Sequence, residues 1–568
     1  MSTRYHMNLF LKNYSFFCIA AVALSGCGGN NSSPSKEAID QLHLTRGEII
    51  SCGPPEGEFG TVDFDMSCDG KVKKEFNIAV ELLHSFEYDE AEKQFAKVIT
   101  ESPDCSMAYW GVAMCNFHPL WEAPSEANLI KGSRAIEIGK SIRGKTERES
   151  GYINAVAAYY KDWQTINPPK RAVNFEKAMQ LMHSQYPDDK EAAIFYALAL
   201  DASALPTDKT YANQKKAGDI LNALYAVAPN HPGIIHYIIH NYDYPGIANQ
   251  ALPAARKYAS VAPSSAHALH MPSHIFTRLG LWDDCIESNK KSVAAAKCYA
   301  ESAGIKGHWD EELHGLDYLV YTYLQKGDNK DAAEQVKYIA GIHDVYPINF
   351  KEAYTFAAAP ARLALENKNW KEAAQLTLQP AEFPWKKFPW QEAIIHFARL
   401  LGAAHTGDLS SAQSELVRLN TLRDTLLQQK DLYKSKQVAI QIKAGEAWIE
   451  WMRKNNTEAL NFMKIAADME DSTSKHPVTP GEVLPARELY ADMLISLKQN
   501  KNALQAFQEV LKQSPNRFNS LFGAASAAEE LGDTSTAILY YKQLIAIADT
   551  TSGRPELIVA KLFLIKHS

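Results

Sequence analysis

Five of the 18 histidines fall in two short stretches, HYIIH (His236–His240) and HALHMPSH (His267–His274). In each, two imidazoles stand four residues apart, His236 with His240 and His270 with His274. On a helix that spacing puts both rings on one face, with β-carbons about 5–6 Å apart, close enough to share one ion. Facing helices pack with axes about 8–10 Å apart, so two such half-sites can bring four nitrogens to an ion at about 2 Å. Imidazole and carboxylate without thiolate suit Zn, Fe, Cu, Mn or Ni. His270 follows His236, and His274 follows His240, at the same interval of 34 residues. The two stretches therefore occupy one place in consecutive copies of a repeat.

The elements that must position these rings are helical. Past residue 70 the chain has little β-alternation and repeats a small residue, an aromatic and a proline in fixed order. Ala503, Phe507 and Pro515 form one instance, Ala91, Phe95 and Pro103 another, and Ala537 and Tyr541 follow Gly532 in a third. The pattern resembles the tetratricopeptide repeat (TPR), two antiparallel helices per unit, over most of residues 72–548. That resemblance implies an all-α fold, a TPR-type α-solenoid whose first helices line a concave groove, since one unit alone cannot bury its apolar face.

The resemblance also implies that ligands meet positions 2, 5, 9, 12 and 13 of each first helix. With Pro263, Gly280 and Gly327 setting the frame, His236 and His240 take positions 5 and 9, and Asp243 position 12. His267, His270 and His274 take positions 2, 5 and 9 of the next unit, and His314 and Asp317 positions 2 and 5 of the one after. The expected metal set is His236, His240, His270 and His274, with His267, His314, Asp243 and Asp317 as further ligands, partners that orient the rings, or members of a second centre. Five protonated histidines here would repel one another, and five buried without metal would leave ring nitrogens needing partners.

Pro272 removes a backbone donor inside the second stretch, so a helix must start or kink there. Between residues 300 and 312 an insertion adds His308, Glu311 and Glu312, as an exposed connection or as a lid. The isolated His84, His118, His396, His405 and His476 read as surface or satisfied core residues. Ala108–Trp121, rich in aromatics, reads as core before it reads as a ligand platform at Trp110. Three prolines in HPVTPGEVLPARELY (His476–Tyr490) mark a junction between solenoid segments. Residues 72–300, 301–470 and 471–568 are the expected segments.

The amino terminus reads as an address. Lys12, the apolar run FFCIAAVAL and the small residues Ser25 and Gly26 form a signal segment over residues 1–27. LSGC resembles the bacterial lipobox, which implies lipid on Cys27, a membrane anchor, and a Gly/Ser/Asn-rich tether opening residues 28–71. Gly28 rather than Asp after that cysteine implies the outer membrane, facing the periplasm. In an oxidising compartment Cys52, Cys68, Cys105, Cys115, Cys285 and Cys298 can pair, and Cys52 with Cys68, across a Gly/Pro-containing loop, is the expected disulfide.

A net charge of -7 with mixed signs along the chain offers no basic stripe, so nucleic acid is not expected as a partner. No HExxH, GxSxG, Walker-type loop or strand-borne GxGxxG occurs. The expected function is an envelope-anchored binding protein holding a protein, peptide or small-molecule ligand in its groove, with a histidine metal site. The alternatives are a metal-dependent hydrolase or oxidase on the same scaffold, and a metal-free assembly adaptor.

Overall fold

The computed structural model describes residues 33–54, 59–120, 124–205, 207–549 and 551–567. Cys27 and the signal segment lie outside them. The described chain is a succession of antiparallel helix pairs from Lys73–His84 to Pro555–Lys566, an all-α solenoid of the TPR type. The only strands among the described residues are His308–Trp309 and Val345–Tyr346, paired parallel. No helix among the described residues is long and apolar enough to cross a membrane.

The repeat signature has a packing cause. Ala91, Ala503 and Ala537 are fully buried where paired helices touch. A β-carbon on Gly111 would lie 2.3 Å from the Phe95 ring, and one on Gly523 equally close to Phe507. The same small-against-aromatic contact thus recurs in two units more than 400 residues apart in sequence. Gly280 and Gly327, which set the repeat frame, end their helices in the left-handed region at φ 65° and 68°, where glycine carries no steric penalty.

The solenoid does not run straight. Near its start, the helix Lys73–His84 packs on Pro232–Tyr242. Near its end, Asn516 accepts a 3.0 Å hydrogen bond at its backbone O from Trp282 Nε1 and donates from Nδ2 to the Gly280 carbonyl. The Phe518 amide likewise donates to Gln325 Oε1. The three prolines of the stretch anticipated as a junction lie between helices Asn456–Asp471 and Ala486–Ser496, and its last residues open the second of them. It reaches back over the histidine-bearing units, bringing Lys475 to Asp243 and the Gly481 carbonyl to Arg362.

The expected Cys52–Cys68 disulfide does not form. Cys52 pairs with Cys298, 246 residues away, and Cys68 with Cys105. The lead-in lies across several helix pairs instead of closing on itself, so each cysteine meets a distant helix. Cys115 and Cys285 are buried thiols. Cys52→Ser is expected to destabilise the fold by about 2–4 kcal/mol, because the bond closes a very long loop in the unfolded chain. A urea midpoint that does not move would remove this stabilising role.

Candidate metal centre

The eight candidate residues come together differently from the expected four-histidine site. The six histidines among them sort into two triads, His236 with His240 and His267, and His270 with His274 and His314. The break at Pro272 is not what divides them: His267 and His270 share the helix Ala266–His270, and His274 follows in Pro272–Leu279. His267 meets His236 and His240 of the preceding unit, while His270 and His274 meet His314 of the following one. Nor do the rings line an open groove wall: His236 and His270 are wholly buried, and His267, His274 and His314 almost so.

In the first triad the His236 Nε2 lies 3.0 Å from His240 Nε2 and 3.2 Å from His267 Nε2. Three nitrogens bound at about 2.0–2.1 Å around one tetrahedral ion stand about 3.3 Å apart, so the spacing matches. The carbonyl of His84 can only accept, at 2.6 Å, so His236 Nδ1 carries the proton and Nε2 presents a bare lone pair. Phe86 closes this triad, with its ring centroid 4.4 Å from that of His236. Its φ of 59° is costly for a bulky residue.

The second triad leaves less freedom. His274 Nδ1 donates to Asp243 Oδ2 at 3.1 Å, and His270 Nδ1 to Asn289 Oδ1 at 2.7 Å. The Asn289 amide is fixed because its Nδ2 donates to the Cys285 carbonyl. Both Nε2 atoms are therefore unprotonated, and they face each other at 3.1 Å. Two bare lone pairs at that distance repel unless a cation lies between them. His314, whose ring centroid is 4.1 Å from that of His270, leaves its Nε2 buried without a hydrogen-bond partner.

Protonation is a poor substitute for metal here. Burial holds His236, His240, His270 and His314 well below the usual imidazole range. It also lowers His274, against the opposing pull of Asp243. Neutral, converging imidazoles with oriented Nδ1 protons are what a borderline transition metal requires.

The carboxylates take other places. Asp243 orients His274 and accepts from Arg278 Nε at 2.7 Å; burial opposes its ionisation, but Lys475 and Arg278 keep it ionised. Asp317, expected as a ligand or orienting partner, is instead paired with the fully buried Arg362. The insertion places Glu311 in the first turn of the helix Asp310–Gln325, where Oε2 lies 3.9 Å from His267 Nδ1.

Sequence reasoning missed a third group. His84 gives one ring nitrogen to Tyr237 and the other to Glu191, which also meets His231 Nε2 at 2.8 Å. With both oxygens of Glu191 engaged, this is a hydrogen-bonded support rather than a third metal cradle, and it fixes the helix end whose carbonyl holds His236. Nothing in the sequence marks it, since His231 precedes its helix and falls off the helical period. Trp110 is core, packed on Phe64, Tyr152 and Phe195.

The first triad borders a cavity of about 710 Å³, within the range of small-molecule sites. His267 and Glu311 form part of its wall, and Phe86 another part.

No family model matches the chain, and no curated protein matches it. Among solved structures, a tetratricopeptide repeat protein from Parabacteroides merdae is 14% identical, covering 53% of this chain and 99% of its own, with a TM-score of 0.28. The human IFIT1 dimer with PPP-AAAA is 12% identical over 84% of this chain and 90% of its own, with a TM-score of 0.35. The same dimer with m7Gppp-AAAA is 14% identical over 90% and 100%, again at 0.35. Likenesses of this depth carry no assignment of function.

Proposed function

We propose that this protein is a metal-dependent solenoid in which two adjacent tri-histidine centres act on a small molecule held in the neighbouring cavity. The observation that carries the reading is the pair of unprotonated Nε2 atoms of His270 and His274, 3.1 Å apart in the buried interior. Three protein nitrogens leave at least one coordination position open, the mark of a catalytic rather than a sealed structural site. At the first triad, the cavity walled in part by His267 gives a ligand access to that position. Neutral imidazoles suit Zn, Cu or Fe best, with Mn and Ni in the same range, and such ions support hydrolysis or oxidation. The protein is further read as exported and lipid-anchored at Cys27 in the cell envelope. Its support is the pair of disulfides, which persist in oxidising compartments.

Elemental analysis of the exported protein, purified without a metal-affinity tag, tests the metal reading beside a His236→Ala/His270→Ala variant. The parent is expected to hold about two transition-metal ions per chain, one for each triad, and the variant to lose them while keeping its helical circular dichroism. A folded parent that takes up none of the five metals on reconstitution would overturn the proposal.

A further inference from the structure

The cavity beside His267 has a character of its own. Its walls carry stacked aromatic pairs: Tyr88 on His118 at 4.5 Å, Tyr299 on Trp309 at 4.2 Å, and Phe350 on His476 at 4.4 Å between ring centroids. Between them stand five carboxylates, Glu87, Asp89, Glu90, Asp310 and Glu311, and one cation, Lys351. Lys351 is engaged by Asp310 and Glu311, and Glu90 is met by Lys93 from outside the wall. Glu87 and Asp89 are left in excess.

Two further features point to a ligand. Glu311, more than nine-tenths buried, leaves Oε2 without a hydrogen-bond partner. Glu87 accepts from the Ser265 hydroxyl at 2.6 Å. An anion would meet a net excess of carboxylates in this space. A cation with a flat apolar body would meet carboxylates and aromatic faces together.

We infer that the cavity binds a small organic cation with an aromatic body, an arylalkylamine, its ammonium directed to Glu87 and Asp89 and its ring among the stacked pairs. The inference extends the proposed function by naming a ligand class for the cavity, but binding does not require the metal. A water-filled space with no ligand, or one for an anion, is the competing outcome.

Calorimetric titration of the whole protein with tyramine and with 4-hydroxyphenylacetate, which share a ring and differ in charge, decides it. Tyramine is expected to bind at least about ten-fold more tightly, on metal-stripped and metal-loaded protein alike. Glu87→Gln and, separately, the exposed Asp89→Asn are each expected to weaken tyramine several-fold with the melting temperature unchanged. Equal affinity for both probes, no binding of either to folded protein, or indifference to both substitutions would overturn the inference. Because the metal-stripped arm stands alone, loss of the metal reading and loss of this one are separable.

Discussion

Asp243→Asn is expected to weaken metal binding at the His270–His274–His314 triad by about 10- to 100-fold, while leaving the His236 triad intact. The carboxylate does two things at once: Oδ2 takes the His274 Nδ1 proton and Oδ1 takes Arg278 Nε. An amide has one acceptor, so one donor must face an NH₂ group. If His274 loses, its tautomer is no longer fixed and Nε2 is no longer reliably bare. In either orientation the neutral amide leaves the Arg278 guanidinium beside Lys475 without its carboxylate counter-ion, at a cost on the order of 3–5 kcal/mol. Chelator competition reads the first outcome and urea unfolding the second. Unchanged metal affinity with unchanged stability would mean that Asp243 orients nothing.

The largest stability effect is expected at Arg517. Its wholly buried guanidinium makes a fork with Glu488, at 2.8 and 2.9 Å, and reaches Glu366 at 2.6 Å. Arg517→Ala strands two buried carboxylates from different units and is expected to cost about 3–5 kcal/mol. Arg517→Lys is not expected to restore it, since an ammonium cannot reproduce the planar two-pronged geometry. Removing the exposed Lys464–Asp468 pair, by contrast, is expected to cost at most about 1 kcal/mol. Similar urea midpoints for Arg517→Ala and Lys464→Ala would refute this ranking.

Much of the fold was legible because its code is local. The helical period and the Ala, Phe and Gly contacts lie within one or two units, and a 34-residue interval placed His236 and His270 in equivalent positions. Even the tendency of Pro272 to break a helix was readable, though not that the six histidines would divide into two triads. What could not be read depends on distant chain. Cys52 met Cys298 because the lead-in spans several units, Asp317 was taken by Arg362 of a later helix, and Glu191 joined two histidines that sequence spacing separates.

The return of the chain upon itself bears on how this molecule keeps its shape. A stack whose units touch only their neighbours has additive stability and frays from its ends. Here the first helix pair braces the His236 helix through Tyr237 and the His84 carbonyl, and the unit around Asn516 clasps the turn at Gly280. Both closures converge on the histidine-bearing units. The middle of the solenoid is thereby held from both ends, so the rings that face one another at about 3 Å draw their rigidity from the whole chain rather than from the repeats that carry them.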